Sequence, residues 1–183
     1  MLYYLGYYVD KKHQNQRKAY LSAVNKMQYV ASVIKRISPS VQIVSCSMAD
    51  TTTHMRSEDI EVDNGIGVHY FFSFGRKSKV SKALDYVIFP LQLIFYILKK
   101  VRKEDVLLAY HATSYCYLLS FLKKIKGFRL ILEVEEIYSD VNLDSNLRKK
   151  EEYVIRAADA YIFPTDLLNQ KLNKSEKPYV VVH

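Results

Sequence analysis

Arg129-Leu130-Ile131-Leu132-Glu133-Val134-Glu135-Glu136-Ile137-Tyr138-Ser139-Asp140 changes character halfway along. Its first half is a short apolar run, as expected of a strand buried on both faces. Gly127 just before it closes a preceding helix. Its second half turns acidic, with Glu133, Glu135, Glu136 and Asp140. A buried strand therefore delivers carboxylates at its C-terminal end, the edge at which open α/β sheets bind their ligands. A solvated acidic loop is the competing reading. The junction of buried strand and charge, with Tyr138 among the acids, favours a site.

The rest of the chain supplies the setting. At 183 residues, 49% hydrophobic and 25% charged, it is long enough for a sizeable core and far from disordered composition. It reads as one domain, residues 1–183, with no interdomain linker. The formal net charge of +8 and pI near 9.3 favour an anionic partner: nucleic acid, anionic lipid or a phosphorylated substrate. Sixteen tyrosines and no tryptophan leave tyrosine as the residue that can stack on a ring and donate a hydrogen bond. Cys46 and Cys116 are isolated in apolar contexts, which fits a reducing compartment and neither a disulfide scaffold nor a metal site. The N-terminal apolar run lacks a basic lead and is broken by Asp10, so it reads as a strand and not as a signal peptide.

Outward from the quoted segment, strands alternate with helices. Strands are expected at residues 2–9, 41–47, 106–110, 128–134 and 160–163, with a last one at 179–182. A short strand pair is expected around Asn64-Gly65. A long helix is expected from Arg17 to about Ile37, with Ala19, Ala23, Met27, Val30 and Val33 or Ile34 at helical spacing. Residues 86–98 are apolar except for Gln92, contain Pro90, and are too few to span a bilayer, so they read as a buried helix. Ser81 is its expected cap, Ser114 that of the helix to Lys126, and Thr165 that of the last helix. A further helix is expected at residues 146–157. This rhythm predicts an α/β fold: a Rossmann-like, doubly wound, mainly parallel sheet with helices on both faces.

Several chemistries lack their signatures. Gly6 stands alone after the first strand, without a dinucleotide fingerprint. There is no phosphate-cradling Walker loop, no Gly-x-Ser-x-Gly elbow and no Asp-x-Asp. The five histidines have no ligand spacing, so no metal is expected. What remains lies at strand ends. His111 directly follows a buried strand and is either a structural hydrogen-bonder or an acid–base or substrate contact. Glu135 and Glu136 can accept sugar hydroxyl protons, or one can act as a general base. Asn15 and Arg17, at the mouth of the first expected helix, can hold a phosphate; ordinary capping and solvation would explain them equally well.

Three segments carry a family resemblance: Asp-Val-Leu-Leu-Ala-Tyr-His-Ala-Thr from Asp105, Leu-Ile-Leu-Glu-Val-Glu-Glu-Ile-Tyr from Leu130, and Ala-Asp-Ala-Tyr-Ile-Phe-Pro-Thr from Ala158. With the first strand, polar loop and long helix, they resemble the acceptor-side half of GT-B glycosyltransferases, most closely the family-four retaining enzymes. The chain departs from that pattern in its polar first loop. It also lacks the Glu-x7-Glu pair of the donor-binding half. The resemblance implies an N-terminal acceptor-binding domain whose nucleotide-sugar donor is a co-substrate held mainly by a donor half outside this sequence. It implies sugar transfer with retained configuration and no other cofactor, to a glycan or lipid-linked acceptor, in polysaccharide or glycolipid biosynthesis. The fragment by itself is expected to be inactive. The loops at residues 6–17, 110–113 and 133–140 are expected to converge on one cleft. His111, Glu135 and Glu136 are the catalytic candidates, and Gly6, Asn15, Arg17, Tyr138 and Thr165 the acceptor or phosphate contacts.

The resemblance also gives the cations a role. Lys99, Lys100, Arg102, Lys103, Lys123, Lys124 and Lys126 gather at the ends of two successive helices. They are expected to form one face towards an anionic membrane, placing the protein in the cytoplasm, peripheral on the inner membrane face. Complementing the helix dipoles is the simpler account. A non-catalytic membrane-associated subunit and a basic nucleic-acid-binding domain are the alternatives. The second lacks any binding motif, so no nucleic acid is expected.

Overall fold

The computed structural model describes residues 1–111, 113–142 and 145–182, with backbone only at 64, 113, 114, 142 and 145. Position 112 of the expected 110–113 loop, the side chains of Asn64 and Ser114, and His183 thus lie outside the described residues. The chain divides into two compact units, Met1–Lys100 and Val101–His183.

The first unit contains β1 (Leu2–Gly6), α1 (Leu21–Lys35), β2 (Val41–Ser45), β3 (Glu58–Val62), β4 (Ile66–Tyr70) and α2 (Lys79–Lys100). Its strands lie in the order β3-β4-β2-β1. β1 pairs with β2, and β2 with β4, in parallel; β3 runs antiparallel to β4. Tyr4, Leu5, Ile43, Val44 and Val68 are almost wholly buried, as an apolar period in half-buried and fully buried strands requires. α1 adds Ala23, Met27, Val30 and Ala31 from one face.

The second unit contains β5 (Val106–Tyr110), α3 (Thr113–Lys126), β6 (Arg129–Glu133), α4 (Tyr138–Asn142), α5 (Ser145–Ala157), β7 (Ala160–Phe163), α6 (Asp166–Leu172) and β8 (Tyr179–Val181). The order is β5-β6-β7-β8, all parallel. Leu107, Leu108, Ala109, Leu130 and Leu132 are buried to within about 1%. Gly127, at φ 74°, ends α3. The fold is the Rossmann-like, mainly parallel α/β class that the alternation predicts.

Four expectations are corrected. The first strand stops at Gly6 and not at residue 9: Ser45 Oγ donates to the Tyr8 carbonyl at 2.6 Å, taking that residue out of the ladder. The first helix begins at Leu21, not Arg17, because Arg17 is held in a bridge to Ala49 and the Lys18 N–H donates to Met48. Tertiary pairing overrides the local helical pattern there. The apolar helix is longer than residues 86–98 and is buried on one face only. It starts at Lys79, where Ser78 and not Ser81 is the cap: Ser78 Oγ accepts the Ser81 N–H at 3.1 Å and Ser81 Oγ accepts the Ser78 N–H at 3.0 Å. Finally, the acidic loop after β6 contains α4, and Ser114 lies inside α3.

Candidate functional site

β5 and β6 run side by side with Tyr110 opposite Glu133. The His111 N–H donates to the Glu133 carbonyl at 2.8 Å, so His111 is fixed as the next rung beyond the strand. Tyr138, on the first turn of α4, donates its hydroxyl to the His111 carbonyl at 3.1 Å, and its ring lies 5.3 Å from the imidazole. Residues 110–111 and 133–140 therefore meet at the strand ends.

The residue that organises this meeting is Glu151 of α5. Its Oε1 accepts the Tyr138 N–H at 2.8 Å and its Oε2 accepts the Ser139 N–H at 2.9 Å. A buried carboxylate thus caps α4, where the dipole favours negative charge. The same Oε1 stands 3.7 Å from His111 Nε2. His111 is 1% exposed, and neither ring nitrogen has a short, aligned hydrogen bond among the described residues. Burial holds the imidazole below its ordinary value; the Glu151 charge and the Glu136 backbone pull the other way. The ring is therefore neutral near pH 7, with one lone pair and one N–H to offer.

The surrounding acids differ in exposure. Glu133 is wholly buried, Glu135 half-buried and Glu136 exposed. Their charges act on Tyr110, whose hydroxyl is pushed up to about 12 by burial first and then by Glu135, Glu133 and Glu136. Tyr138 is likewise pushed up to about 12, by burial and then Glu136. Both phenols are donors throughout the physiological range. Beside the site, α4, α5 and α6 enclose a groove of about 380 Å³, into which Glu151 also faces. Arg148, Arg156, Lys171 and Lys174 supply its cations. Asp140, Glu151 and Glu152 line it too: Lys171 is paired with Asp140 at 2.6 Å, and Arg148 and Arg156 with Glu152 at 3.5 and 3.4 Å.

The other expected residues are placed as follows. Thr165 caps α6, accepting the Leu168 N–H at 3.4 Å. Lys123 is tied down by Ala157 and Asp159, each at 2.6 Å. Lys124 lies over the Tyr153 ring at 4.9 Å, while Arg102 and Lys103 are exposed and Lys126 is half-buried. In the first unit, Gly6 is buried at the end of β1, Asn15 is exposed, and Lys99 and Lys100 are exposed at the end of α2. Arg17 is 1% exposed; it donates to the carbonyls of Ser47, Phe71 and Arg56 at 2.9, 3.1 and 3.3 Å. Its guanidinium also lies 4.6 Å above the Tyr70 ring.

Two groups were not singled out by the sequence reading. Glu151 sits in a run of charges that looks solvated, yet Val154 and Ile155, three and four residues on, are buried. An acid in register with the apolar face was the available signal. In the first unit, buried His13 stands between Asp10 Oδ1 at 2.5 Å and Glu58 Oε1 at 3.1 Å, with Tyr70 donating to Asp10. Nothing local links residues 10, 58 and 70. No cluster that could hold a metal ion is found among the described residues.

No protein-family model and no curated protein sequence matches the chain. Solved structures do. Sucrose-phosphate synthase from Thermosynechococcus elongatus matches with a TM-score of 0.67 and 9% identity, over 99% of this chain and 47% of that one. An α,α-trehalose 6-phosphate synthase from Burkholderia multivorans matches at 0.58 and 11%, over 95% and 41%. The enzyme from Burkholderia xenovorans, solved in complex with glucose-6-phosphate, matches at 0.55 and 9%, over 90% and 40%. At such identities the likeness is one of fold. The chain has the fold of one half of a GT-B glycosyltransferase and spans less than half the length of these relatives.

Proposed function

We propose that this chain is the acceptor-side half of a glycosyltransferase that moves a sugar from a nucleotide-sugar donor to a phosphate-bearing glycan or lipid-linked acceptor. The observation that carries the reading is buried His111, at the end of a parallel strand, paired with Glu151 of α5 beside a groove lined by four cations and three acids. The neutral imidazole, closed to solvent in this structure, would exchange one hydrogen bond with an acceptor hydroxyl when a local opening admits it. Glu151, fixed by two backbone N–H groups, offsets positive charge as that hydroxyl loses its proton. The hydroxyl oxygen would bond to the anomeric carbon of the donor while the bond to the nucleoside diphosphate breaks. The groove cations would hold the acceptor phosphate as charge-assisted hydrogen bonds. Glu135 and Glu136 would line the entrance to the hydroxyl site. The donor, the sole co-substrate in this reading, would be held by a separate donor-binding half. Such a protein would work in the cytoplasm, at the inner membrane face where the acceptor is lipid-linked, in polysaccharide or glycolipid synthesis.

The test is binding. Glucose 6-phosphate and a short-chain prenyl-diphosphate sugar are titrated against the chain, with the His111 ring protons followed by NMR. A saturable shift with either is expected. His111→Ala should weaken that ligand by about tenfold or more, the cost of a lost hydrogen bond to a buried site. No shift with either ligand at millimolar concentration would sink the proposal.

A further inference from the structure

α2 carries two apolar faces. Leu93, Tyr96 and Ile97 face the first unit's interior and are at most 9% exposed. The Tyr96 ring packs on Tyr3, His69 and Phe71, and Gln92 exchanges two 3.0 Å hydrogen bonds with the Phe72 backbone. The other face is open. Val80, Leu84, Val87, Leu91, Phe95 and Leu98 are between 41% and 68% exposed. They follow one another at steps of four, three, four, four and three residues, so they form a single stripe along the helix. Isolated exposed apolar residues need no account, but a continuous stripe six residues long does.

The charges around the stripe identify its occupant. Lys77, Lys79 and Lys82 flank its start, Lys99 and Lys100 its end, and all five are exposed. The only acid of α2 is Asp85, which is 5% exposed and accepts from Ser73 Oγ and the Phe74 N–H, both at 2.7 Å. The outward surface of this helix is therefore apolar or cationic, with no anion. A protein partner would need a matching acidic rim around an apolar centre. A bilayer rich in acidic lipids presents that pattern over any area.

We propose that α2 lies in the interface of an anionic membrane, with the stripe from Val80 to Leu98 among the acyl chains and the flanking lysines at the phosphates. By length and composition alone, this 22-residue helix is also able to cross a membrane. Crossing would strip Asp85, Gln92 and Tyr96 from their partners, so the helix lies flat. The inference does not depend on glycosyl transfer: membrane binding and acceptor binding are read by different experiments.

The chain has no tryptophan, so Leu91→Trp gives a single reporter in the stripe. Its emission should shift to the blue on vesicles of phosphatidylcholine containing about one-third phosphatidylglycerol, and far less on phosphatidylcholine alone. In co-sedimentation, the unaltered chain should bind the anionic vesicles at least about tenfold more tightly than neutral ones, and less at high salt. Leu91→Asp with Phe95→Asp should lower anionic-vesicle binding at least about tenfold with the thermal midpoint kept, since both side chains are exposed. If that pair disturbs folding, Phe95→Ser alone should still weaken binding several-fold. Equal binding to both vesicle types, no emission shift, or a double variant that binds as before would each overturn the proposal. So would a dimer in light scattering that Phe95→Asp abolishes, without vesicle binding, which would assign the stripe to a second copy.

Discussion

His111 owes its state to its position. An imidazole in the unfolded chain titrates near 6.5, and burial lowers it in the folded protein. Between those two values the unfolded state holds the extra proton, so stability rises with pH across that window. The contribution is complete above the unfolded value and is lost as the pH falls through the folded one. The thermal midpoint should therefore drop between about pH 7.5 and pH 5.5, and His111→Gln should flatten the slope. An identical slope in the variant would show that His111 does not carry the effect. Glu151 is the complementary case. Glu151→Ala leaves the Tyr138 and Ser139 N–H groups without their acceptor, which should cost about 3 kcal/mol in urea unfolding. Glu151→Gln keeps one acceptor oxygen and should lose about half as much. Equal losses in the two variants would mean that a single acceptor oxygen and the side chain's packing count for nothing without the full carboxylate.

Elements differ in how openly the sequence announces them. β7 has the bounds its apolar run suggests, and β5 begins and ends at Val106 and Tyr110 as expected, because buried parallel strands are continuous apolar runs. The start of α1 was hidden, since Arg17 is claimed by carbonyls at residues 47, 56 and 71 that no local window contains. α4 was hidden because its cap comes from Glu151, thirteen residues from Tyr138. The site is legible to the same extent: His111 and Tyr138 stand at strand ends where charge meets apolar sequence, whereas Glu151 and the Asp10–His13–Glu58 set require the fold. Glycines separate two kinds of constraint. Gly75 has φ 80°, and a Cβ there would lie 2.4 Å from the Thr53 carbonyl oxygen. Gly127 has φ 74°, but its nearest neighbour would be the flexible Lys103 side chain at 3.4 Å. Gly127→Ala should cost about 1 kcal/mol, and Gly75→Ala about 2 kcal/mol or more because backbone must move as well. Equal unfolding midpoints for the two variants would refute this ranking.

At the scale of the molecule, the chain corresponds to 41–47% of the length of the first two synthases it resembles. If it is the acceptor half, a nucleotide sugar at millimolar concentration should leave its thermal midpoint unmoved. A bound acceptor at about a hundredfold over its dissociation constant adds about 2.7 kcal/mol and raises the midpoint. A rise with UDP-glucose and none with glucose 6-phosphate would reverse the assignment of halves. The strands at the margins of the two units are also unlike. β3 carries Glu58, Asp59 and Glu61 within five residues, so a neighbouring molecule that tried to extend the row would meet three carboxylates. β8 carries Tyr179, Val180 and Val181 with no charge, and the first two are about half exposed. Self-association of concentrated solutions should therefore proceed by strand addition at β8, and Val180→Lys should extend the shelf life of the protein without altering its fold.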